Sequence, residues 1–423
     1  LSGLKALCEA GAQWVEPFVL GALNDVLEAF SSPKTANAAE AAGRALVTLV
    51  SPYALKLVVP MLFESMNHIK WQAKRGAIVL LGALASSHPE QFKRVLPEVV
   101  EKLIEMCQDL KKQVKDAALT CFAECAAVIG NIDIEPIIPD IIKAYAKPVE
   151  ETSNGLDRLV ATTFVNEVDM PTLALLVPLL VRAMRERQVA YKRRSAVVMG
   201  NMCKLVNDPR DAAAFIGILE PVLLRGIEEI SIEEVRNVCQ KSLDQLRRVS
   251  AAAADKTALM FSRDQVDAAV REAVAKHGGP TVEDQANVTD VIDYSVSLVH
   301  MLVVSDTLDD ESWTGCHVPY LSSFMPAEGA AAVCDELVQA ARAPLTAAEV
   351  DPEADEEDLC DATFSLAYGT RVLLHQTRLK VKRGRKYGLI GQNGCGKSTL
   401  MKAIASGNLQ GFPEDLKTVY VEH

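Results

Sequence analysis

The sequence predicts a mainly α-helical chain with three parts: an α-solenoid, a four-helix bundle and the beginning of an α/β P-loop domain. Three observations predict it: a composition rich in Ala, Leu and Val with 5% aromatic residues, a proline-marked repeat in the first 250 residues, and a glycine-rich loop near the end. Ala and Leu lose little side-chain entropy in helices, whereas sheets favour branched and aromatic residues. The 423 residues are enough for two or three domains.

The charge and the cysteine pattern exclude several classes of protein. The 44 basic and 56 acidic side chains give a net charge of −12, so any surface for nucleic acid has to be local. No apolar run approaches the roughly 20 residues of a membrane-spanning helix, and no signal peptide is evident. The ten cysteines form no CxxC or Cys/His cluster, which favours reduced thiols in a cytoplasmic protein over a metal site or a disulfide framework.

Residues 1–250 contain a repeat of about 40 residues, the period of HEAT and armadillo solenoids with two helices per unit. Each unit carries a proline, which we expect early in its first helix: Pro17, Pro60, Pro97, Pro139, Pro178 and Pro221. The second helices are expected to begin at residues 73–77, 114–118, 159–163, 193–197 and 235–239. A HEAT-repeat solenoid is therefore predicted. An irregular bundle with evenly spaced prolines is the weaker alternative.

A cluster of basic residues, here called the basic ridge, stands out in the predicted solenoid. It holds Arg182, Arg185, Arg187, Lys192, Arg193 and Arg194. Only Glu186 opposes these charges within the same stretch. The functional interpretation is a contact to phosphates, most readily those of RNA. An equally frequent alternative is a solvated face that pairs with acids of the next repeat.

Residues 251–345 are predicted to form the four-helix bundle. Ser262 can cap its first helix, and Thr281 with Asp284 resembles a capping box for the second. The helices are expected at residues 262–277, 281–302, 318–325 and 328–343. Residues 346–361 are rich in acids that repel one another, which predicts a solvated linker. The P-loop domain is expected to begin at residue 362.

Residues 391–398 match the phosphate-binding pattern G-x-x-x-x-G-K-[ST] at every fixed position. An apolar strand is predicted before the loop at residues 386–390, and a helix after it at residues 399–406. Glycines allow backbone N–H groups to surround a phosphate. Lys397 can reach the β- and γ-phosphates, and the Ser398 hydroxyl can ligate Mg²⁺. The predicted nucleotide-binding residues are Gly391, Gln392, Asn393, Gly394, Cys395, Gly396, Lys397, Ser398 and Thr399.

Tyr368 follows the first of two strands expected at residues 363–366 and 371–374, and lies 29 residues before Lys397. In nucleotide-binding domains of the ABC class, an aromatic residue at this point stacks on adenine. Taken alone, a tyrosine at the end of a strand would be interpreted as a side chain that packs in the protein core. The combination of strand, tyrosine, second strand and P-loop favours the functional interpretation and an ABC-type domain at residues 362–423.

The last sixty residues resemble the first nucleotide-binding domain of the elongation factor 3 family, which consists of ABC-F ATPases with N-terminal HEAT repeats. The match rests on residues 364–369, 387–388, 393–401, 411–413 and 418–423. The order of solenoid, helical bundle and ABC domain also agrees with this family. The detailed motifs cover only the last part of the chain, whereas the architecture covers all of it.

The resemblance implies a ribosome-binding factor that uses ATP and Mg²⁺ to release deacylated tRNA from the exit site and to support translocation. The implied partners are rRNA and ribosomal proteins, with other elongation factors as further candidates, and the expected state is a monomer. The solenoid would supply part of the ribosome contact, which favours rRNA as the partner of the basic ridge. His423 falls where most ABC proteins have the Q-loop glutamine, and whether it takes that role stays open.

Both ends of the chain look cut from a longer protein, since Leu1 falls inside a helical pattern. No Walker B strand, signature loop or second ABC domain follows the P-loop. We therefore expect the parent protein to be an ATPase and these residues alone to show weak or no turnover. Two alternatives are kept: a non-enzymatic HEAT scaffold of the translation machinery with an incomplete nucleotide domain, and an ABC-F protein of another role.

Overall fold

A computed structural model of the chain describes residues 1–10, 15–162, 164–257, 262–279, 286–304, 307, 309–342, 358–368, 371–382, 387–389, 396–406, 409, 412–413 and 418–421. The chain divides into two compact units. The first unit contains Leu1–Val128 and Ala258–Glu349, and the second contains Ile129–Thr257 and Val350–His423. The predicted mainly α-helical architecture, with a small sheet near the end, is confirmed.

The solenoid part of the first unit consists of α1 (Ser2–Ala10), α2 (Glu16–Val19), α3 (Leu23–Ala29), α4 (Ala36–Leu49), α5 (Leu55–Met66), α6 (Trp71–Ser87), α7 (Pro89–Phe92), α8 (Leu96–Met106) and α9 (Lys112–Ala126). Within each repeat the first helix packs on the second: α3 on α4, α5 on α6 and α8 on α9. The second helices also pack on one another, α4 on α6 and α6 on α9. A continuous core results, as expected for stacked repeats.

The solenoid part of the second unit repeats this arrangement with α10 (Ile138–Ala146), α11 (Pro148–Ala161), α12 (Met170–Ala183), α13 (Val189–Leu205), α14 (Pro209–Glu229) and α15 (Glu233–Thr257). The second helices α11, α13 and α15 pack in succession. One predicted helix start is wrong: residues 159–161 end α11, and residue 163 lies outside the described residues. The helix begins instead at Pro148, followed by Glu150 and Glu151, which favour a helix N-terminus.

The repeat prolines occupy two kinds of position. Three lie in the first turn of a helix, as predicted: Pro17, Pro97 and Pro139. The prediction is wrong for the other three, which lie inside α5, α12 and α14: Pro60, Pro178 and Pro221. An internal proline removes a backbone hydrogen bond at a cost of about 3 kcal/mol. Burial of apolar side chains on both sides of Pro178 offsets this cost in α12.

The helical bundle of the first unit consists of α16 (Arg263–Lys276), α17 (Ala286–Val304), α18 (Asp310–Leu321) and α19 (Ala327–Arg342). Consecutive helices pack on one another and α19 returns to α16. The cap at Ser262 is confirmed as a capping box with Gln265. Helix α18 begins earlier than predicted because Asp309 caps it, accepting a 2.7 Å hydrogen bond from the backbone of Ser312. Thr281 and Asp284 lie outside the described residues.

A buried carboxylate joins this bundle to the first repeat. Glu16 of α2 is fully buried, and its Oε1 accepts hydrogen bonds from the backbone N–H of Ser51 and from the hydroxyl of Tyr294 in α17. Its Oε2 accepts one from the hydroxyl of Tyr320 in α18, at 2.5 Å. Burial raises the pKa of Glu16, and the three donated hydrogen bonds act in the opposite direction. We call these four residues the Glu16 cluster. No local sequence pattern marks them, since they lie far apart along the chain.

His317 in α18 makes the stability of the first unit depend on pH. It is fully buried, and its Nδ1 shares a 2.8 Å hydrogen bond with Ser295 Oγ. Burial lowers the pKa of His317 from 6.5 to about 3. The unfolded chain binds a proton at this residue below its ordinary pKa and the folded chain does not. Stability is therefore present above pH 6.5 and is lost as the pH falls toward 3.

Urea unfolding should show this contribution. Lowering the pH from about 7.5 to about 5.5 is expected to remove about 1.4 kcal/mol from the free energy of unfolding through His317. A His317→Asn variant keeps a hydrogen-bonding group for Ser295 and should lack this component, while other titrating groups act equally in both proteins. An unchanged pH dependence in the folded variant would show that His317 can be protonated in the native state.

Among the described residues, no single helix combines the length and apolar character that crossing a bilayer requires. Only the pair Ala36–Leu49 and Pro52–Met66, bent by 109°, reaches those criteria jointly.

Candidate nucleotide-binding site

A β-hairpin precedes the predicted phosphate loop in the second unit. Strands β1 (Asp358–Tyr368) and β2 (Arg371–Lys382) are antiparallel, and Tyr368 pairs with Arg371 at the end where the chain turns. Both strands are longer than predicted. Strand β1 begins inside the predicted acidic linker, because the Asp361 carboxylate accepts hydrogen bonds of 2.7 and 2.6 Å from Arg378. This guanidinium lowers the pKa of Asp361.

Helix α20 (Lys397–Ala405) follows the loop and packs on the hairpin, which confirms the helix predicted there. The shared core holds Phe364, Leu366, Leu400, Ala403 and Leu409. The hairpin also lies against α13 of the solenoid in the same unit. The apolar side chains thus fix the first turn of α20 to one surface of the hairpin.

Gly396 determines how the loop enters α20. It has φ 103° and ψ 4°, and its carbonyl accepts a 2.9 Å hydrogen bond from Leu400 N–H. A Cβ at this position would lie 3.1 Å from both Cβ and Cδ1 of Leu373 in β2. Glycine is therefore favoured twice, by the left-handed backbone and by the close approach of the strand.

The described phosphate-loop residues form the start of α20. Lys397 and Thr399 are half-buried and Ser398 is exposed. Tyr368 is at the hairpin end, and its register partner Arg371 is two residues from Leu373, which touches Gly396. Two residues of a strand span about 7 Å, at about 3.3 Å per residue. The backbone of Tyr368 and the start of α20 therefore lie at the same end of the hairpin.

The remaining predicted nucleotide-binding residues lie outside the described residues: Gly391, Gln392, Asn393, Gly394, Cys395 and His423. Of the strand predicted at residues 386–390, the described residues 387–389 have no regular secondary structure. Lys397 opens α20, where the positive end of the helix dipole favours an anion. The arrangement of strand pair, glycine turn and helix can hold a phosphate chain.

Part of the basic ridge is structural. Arg182 is half-buried, donates a 2.9 Å hydrogen bond from Nη1 to the carbonyl of Ala144 and lies 5.5 Å from the ring centre of Tyr145. Burial lowers the pKa of Arg182. Arg182 thereby ties α12 to α10. This side chain is not presented to a partner in the way that the sequence analysis assumed.

Two further ridge residues form ion pairs with neighbouring repeats. Arg193 lies 2.8 Å from the Glu234 carboxylate of α15, and Arg194 lies 2.6 Å from the Asp157 carboxylate of α11. This is the pairing with acids of adjacent repeats that the alternative interpretation anticipated. Arg185 and Arg187 are exposed and Lys192 is half-buried; no ion pair joins these three to another described residue.

Three family models match the chain. The EF3 N-terminal HEAT repeat model covers residues 3–122, the Elongation factor 3/GNC1 HEAT repeat model covers residues 151–257, and the ABC transporter model covers residues 374–411. The third match covers most of β2, the phosphate loop and α20. All three agree with the order of parts predicted from the sequence.

Individual relatives match along nearly the whole chain. Elongation factor 3 of Gonapodya prolifera is 38% identical, over 97% of this chain and 38% of its own length. Elongation factor 3B of Saccharomyces cerevisiae is 36% identical, over 97% of this chain and 40% of its own. The chain is homologous to elongation factor 3. Elongation factor 3 of Phytophthora infestans, at 35% identity over 99% of this chain and 41% of its own length, shows that the similarity extends to another organism.

The family resemblance inferred from the sequence motifs is thereby confirmed. The chain spans about two fifths of the length of these elongation factor 3 relatives.

Proposed function

We propose that the chain is the ATP-binding and ribosome-binding part of a cytoplasmic, monomeric translation elongation factor. The observation that carries this proposal is the geometry at Gly396, where a left-handed glycine, held against Leu373, starts α20 with Lys397 and Ser398. The similarity to elongation factor 3 supplies the biological context. In the parent protein, ATP binding and hydrolysis would drive release of exit-site tRNA and support translocation.

Each residue of the loop has a defined task in this proposal. The Lys397 ammonium would bind the β- and γ-phosphates, and the Ser398 hydroxyl would ligate Mg²⁺. Backbone N–H groups of residues 391–399 would surround the phosphates. Tyr368 would stack on the adenine, and His423 would act near the γ-phosphate in place of the usual glutamine. Bound Mg²⁺ supplies charge neutralisation for the phosphates.

The solenoid would supply the contact to the ribosome. Within each unit its repeats present a surface made of successive helix pairs, and the basic ridge adds local positive charge to a chain of net charge −12. rRNA phosphates are the partner that such a local patch would attract. Ribosomal proteins and other elongation factors complete the proposed set of partners.

Co-sedimentation with ribosomes tests this function. The chain is expected to pellet with purified ribosomes at low salt and to dissociate progressively as salt rises, because phosphate contacts release counterions. Binding should be stronger with Mg²⁺ and a non-hydrolysable ATP analogue than without nucleotide. Lys397→Ala should remove that nucleotide effect and keep the salt-dependent part. If nucleotide does not change ribosome binding of the wild-type chain or of Lys397→Ala, the non-enzymatic scaffold is favoured. If the chain does not bind ribosomes at all, the proposal is contradicted.

A further inference from the structure

A cleft beside the basic ridge brings two ridge cations together with a third cation from another helix. It is a shallow cleft between the end of α12, the first turn of α13 and the last turns of α14, with a cavity volume of about 20 Å³. Arg185 and Lys192 of the ridge line it together with Arg225 of α14. Arg225 is not part of the ridge pattern in the sequence, because it is thirty-three residues from Lys192 along the chain.

The charge of the cleft is strongly positive. Its single acidic lining residue, Glu229, lies 3.9 Å from Arg225, at the outer limit of an ion pair, and both side chains are more than half exposed. Such an exposed pair contributes little and leaves the arginine available. Three cations therefore face one weakly engaged acid. An anion that binds in the cleft would be attracted electrostatically by all three cations.

The packing around Gly226 brings the third cation into place. A Cβ at Gly226 would lie 2.9 Å from Met184 Cε and 3.0 Å from Cys239 Sγ. The absent side chain thus lets α14 approach the end of α12 and the face of α15. Arg225, the neighbour of this glycine, is carried to the cleft by that approach. Met184 and Ile230 form an apolar part of the wall of the cleft.

We propose that this cleft, and not the ion-paired Arg193 and Arg194, is the place where the solenoid binds an RNA backbone phosphate. The proposal rests on the proposed function for its choice of RNA. Guanidinium groups match phosphate oxygens bidentately, and an ammonium adds a point charge. Arg187, exposed just beyond Arg185, would meet the next phosphate of the strand. Arg193 and Arg194 hold the neighbouring repeats together through Glu234 and Asp157.

Two double variants of equal charge separate the possibilities. The probe is a fluorescein-labelled single-stranded RNA of sixteen nucleotides, titrated with the full chain at several salt concentrations. R185A together with R225A should weaken RNA binding at least tenfold, and the slope of log K against log salt should fall by about 0.7, the value for one phosphate of a single strand. R193A together with R194A, with the same loss of charge on the same surface, should change binding less than threefold. Circular dichroism and thermal melting verify that each variant is folded.

The outcomes distinguish this proposal from the function on which it rests. Equal losses of RNA affinity in both double variants would show that RNA is attracted by the positive charge of the whole surface, and would overturn the proposal that the cleft is the binding site. A loss only in R193A/R194A would overturn it as well. If wild-type chain binds ribosomes but the cleft variant binds RNA normally, the cleft fails while the function stands. If polyglutamate competes for the cleft as well as RNA does, the RNA assignment is overturned. A chain that binds neither ribosomes nor RNA contradicts the function itself.

Discussion

Glu16→Ala is expected to lower the free energy of unfolding of the first unit by about 3–5 kcal/mol. The change removes the acceptor of three buried hydrogen bonds, so that Ser51 N–H and the hydroxyls of Tyr294 and Tyr320 lose their partner. A buried donor without a partner costs about 1–3 kcal/mol, and the missing side chain also leaves a cavity. Because the cluster joins α2 to α17 and α18, the loss should act on the contact between repeat and bundle.

Chemical denaturation followed by circular dichroism measures this effect. Glu9→Ala is the matched control, since Glu9 lies in α1, is mostly exposed and, within the described part of the chain, forms an ion pair with Lys5 at 3.5 Å. That change should stay within about 0.5 kcal/mol of wild type. Tyr320→Phe removes one donor together with its hydrogen bond and should cost less than Glu16→Ala. If Glu16→Ala and Glu9→Ala have equal stability, the Glu16 cluster does not hold the bundle.

Gly396→Ala is expected to weaken nucleotide binding at least tenfold, about 1.4 kcal/mol in binding free energy. Alanine pays about 1–2 kcal/mol in the left-handed conformation that Gly396 adopts. Its Cβ would also lie 3.1 Å from Leu373, so the start of α20 or the strand has to move. Either shift changes the position of Lys397 and of the first N–H groups of the helix. Binding of a fluorescent ATP analogue with Mg²⁺ measures the loss.

Gly217→Ala is the matched control for this substitution. Gly217 lies within α14 of the same unit, and a Cβ there would meet no described atom within 4 Å beyond the adjoining residues and backbone of its own helix. Alanine should stabilise that helix slightly and leave the affinity for the nucleotide analogue unchanged. Wild-type affinity in Gly396→Ala would show that the glycine conformation does not position the phosphate loop.

Local patterns in the sequence predicted most of the helices. The apolar period and the proline spacing found the repeats, and Ser262 with Gln265 marked a helix start that the structure contains. The helix predictions are wrong where packing between distant parts of the chain determines where a helix begins or continues. Helix α12 continues through Pro178 because the apolar residues before and after this proline are buried. Helix α11 begins at Pro148, and the 40-residue period had placed the helix start later.

In the candidate site, too, local sequence patterns predicted some features and long-range packing determined the others. Lys397 and Ser398 could be predicted because phosphate binding uses neighbouring residues of one loop. The approach of Leu373 to Gly396 could not, since it depends on how β2 packs on α20. The pairing of Arg193 with Glu234 and the position of Arg225 beside Lys192 likewise join residues tens of positions apart. A cluster of charges in the sequence therefore indicated the region, and only the fold separates paired from available cations.

Calorimetric titration of Mg²⁺–ATP into the purified chain tests the central claim most directly, namely that the loop before α20 is a nucleotide site. We expect one saturable site that weakens at least tenfold in Lys397→Ala and upon removal of Mg²⁺ with a chelator. Lys402→Ala, at the other end of the same helix, should bind as wild type does. A folded chain that shows no saturable binding, or one whose binding is unchanged in Lys397→Ala, would contradict the claim.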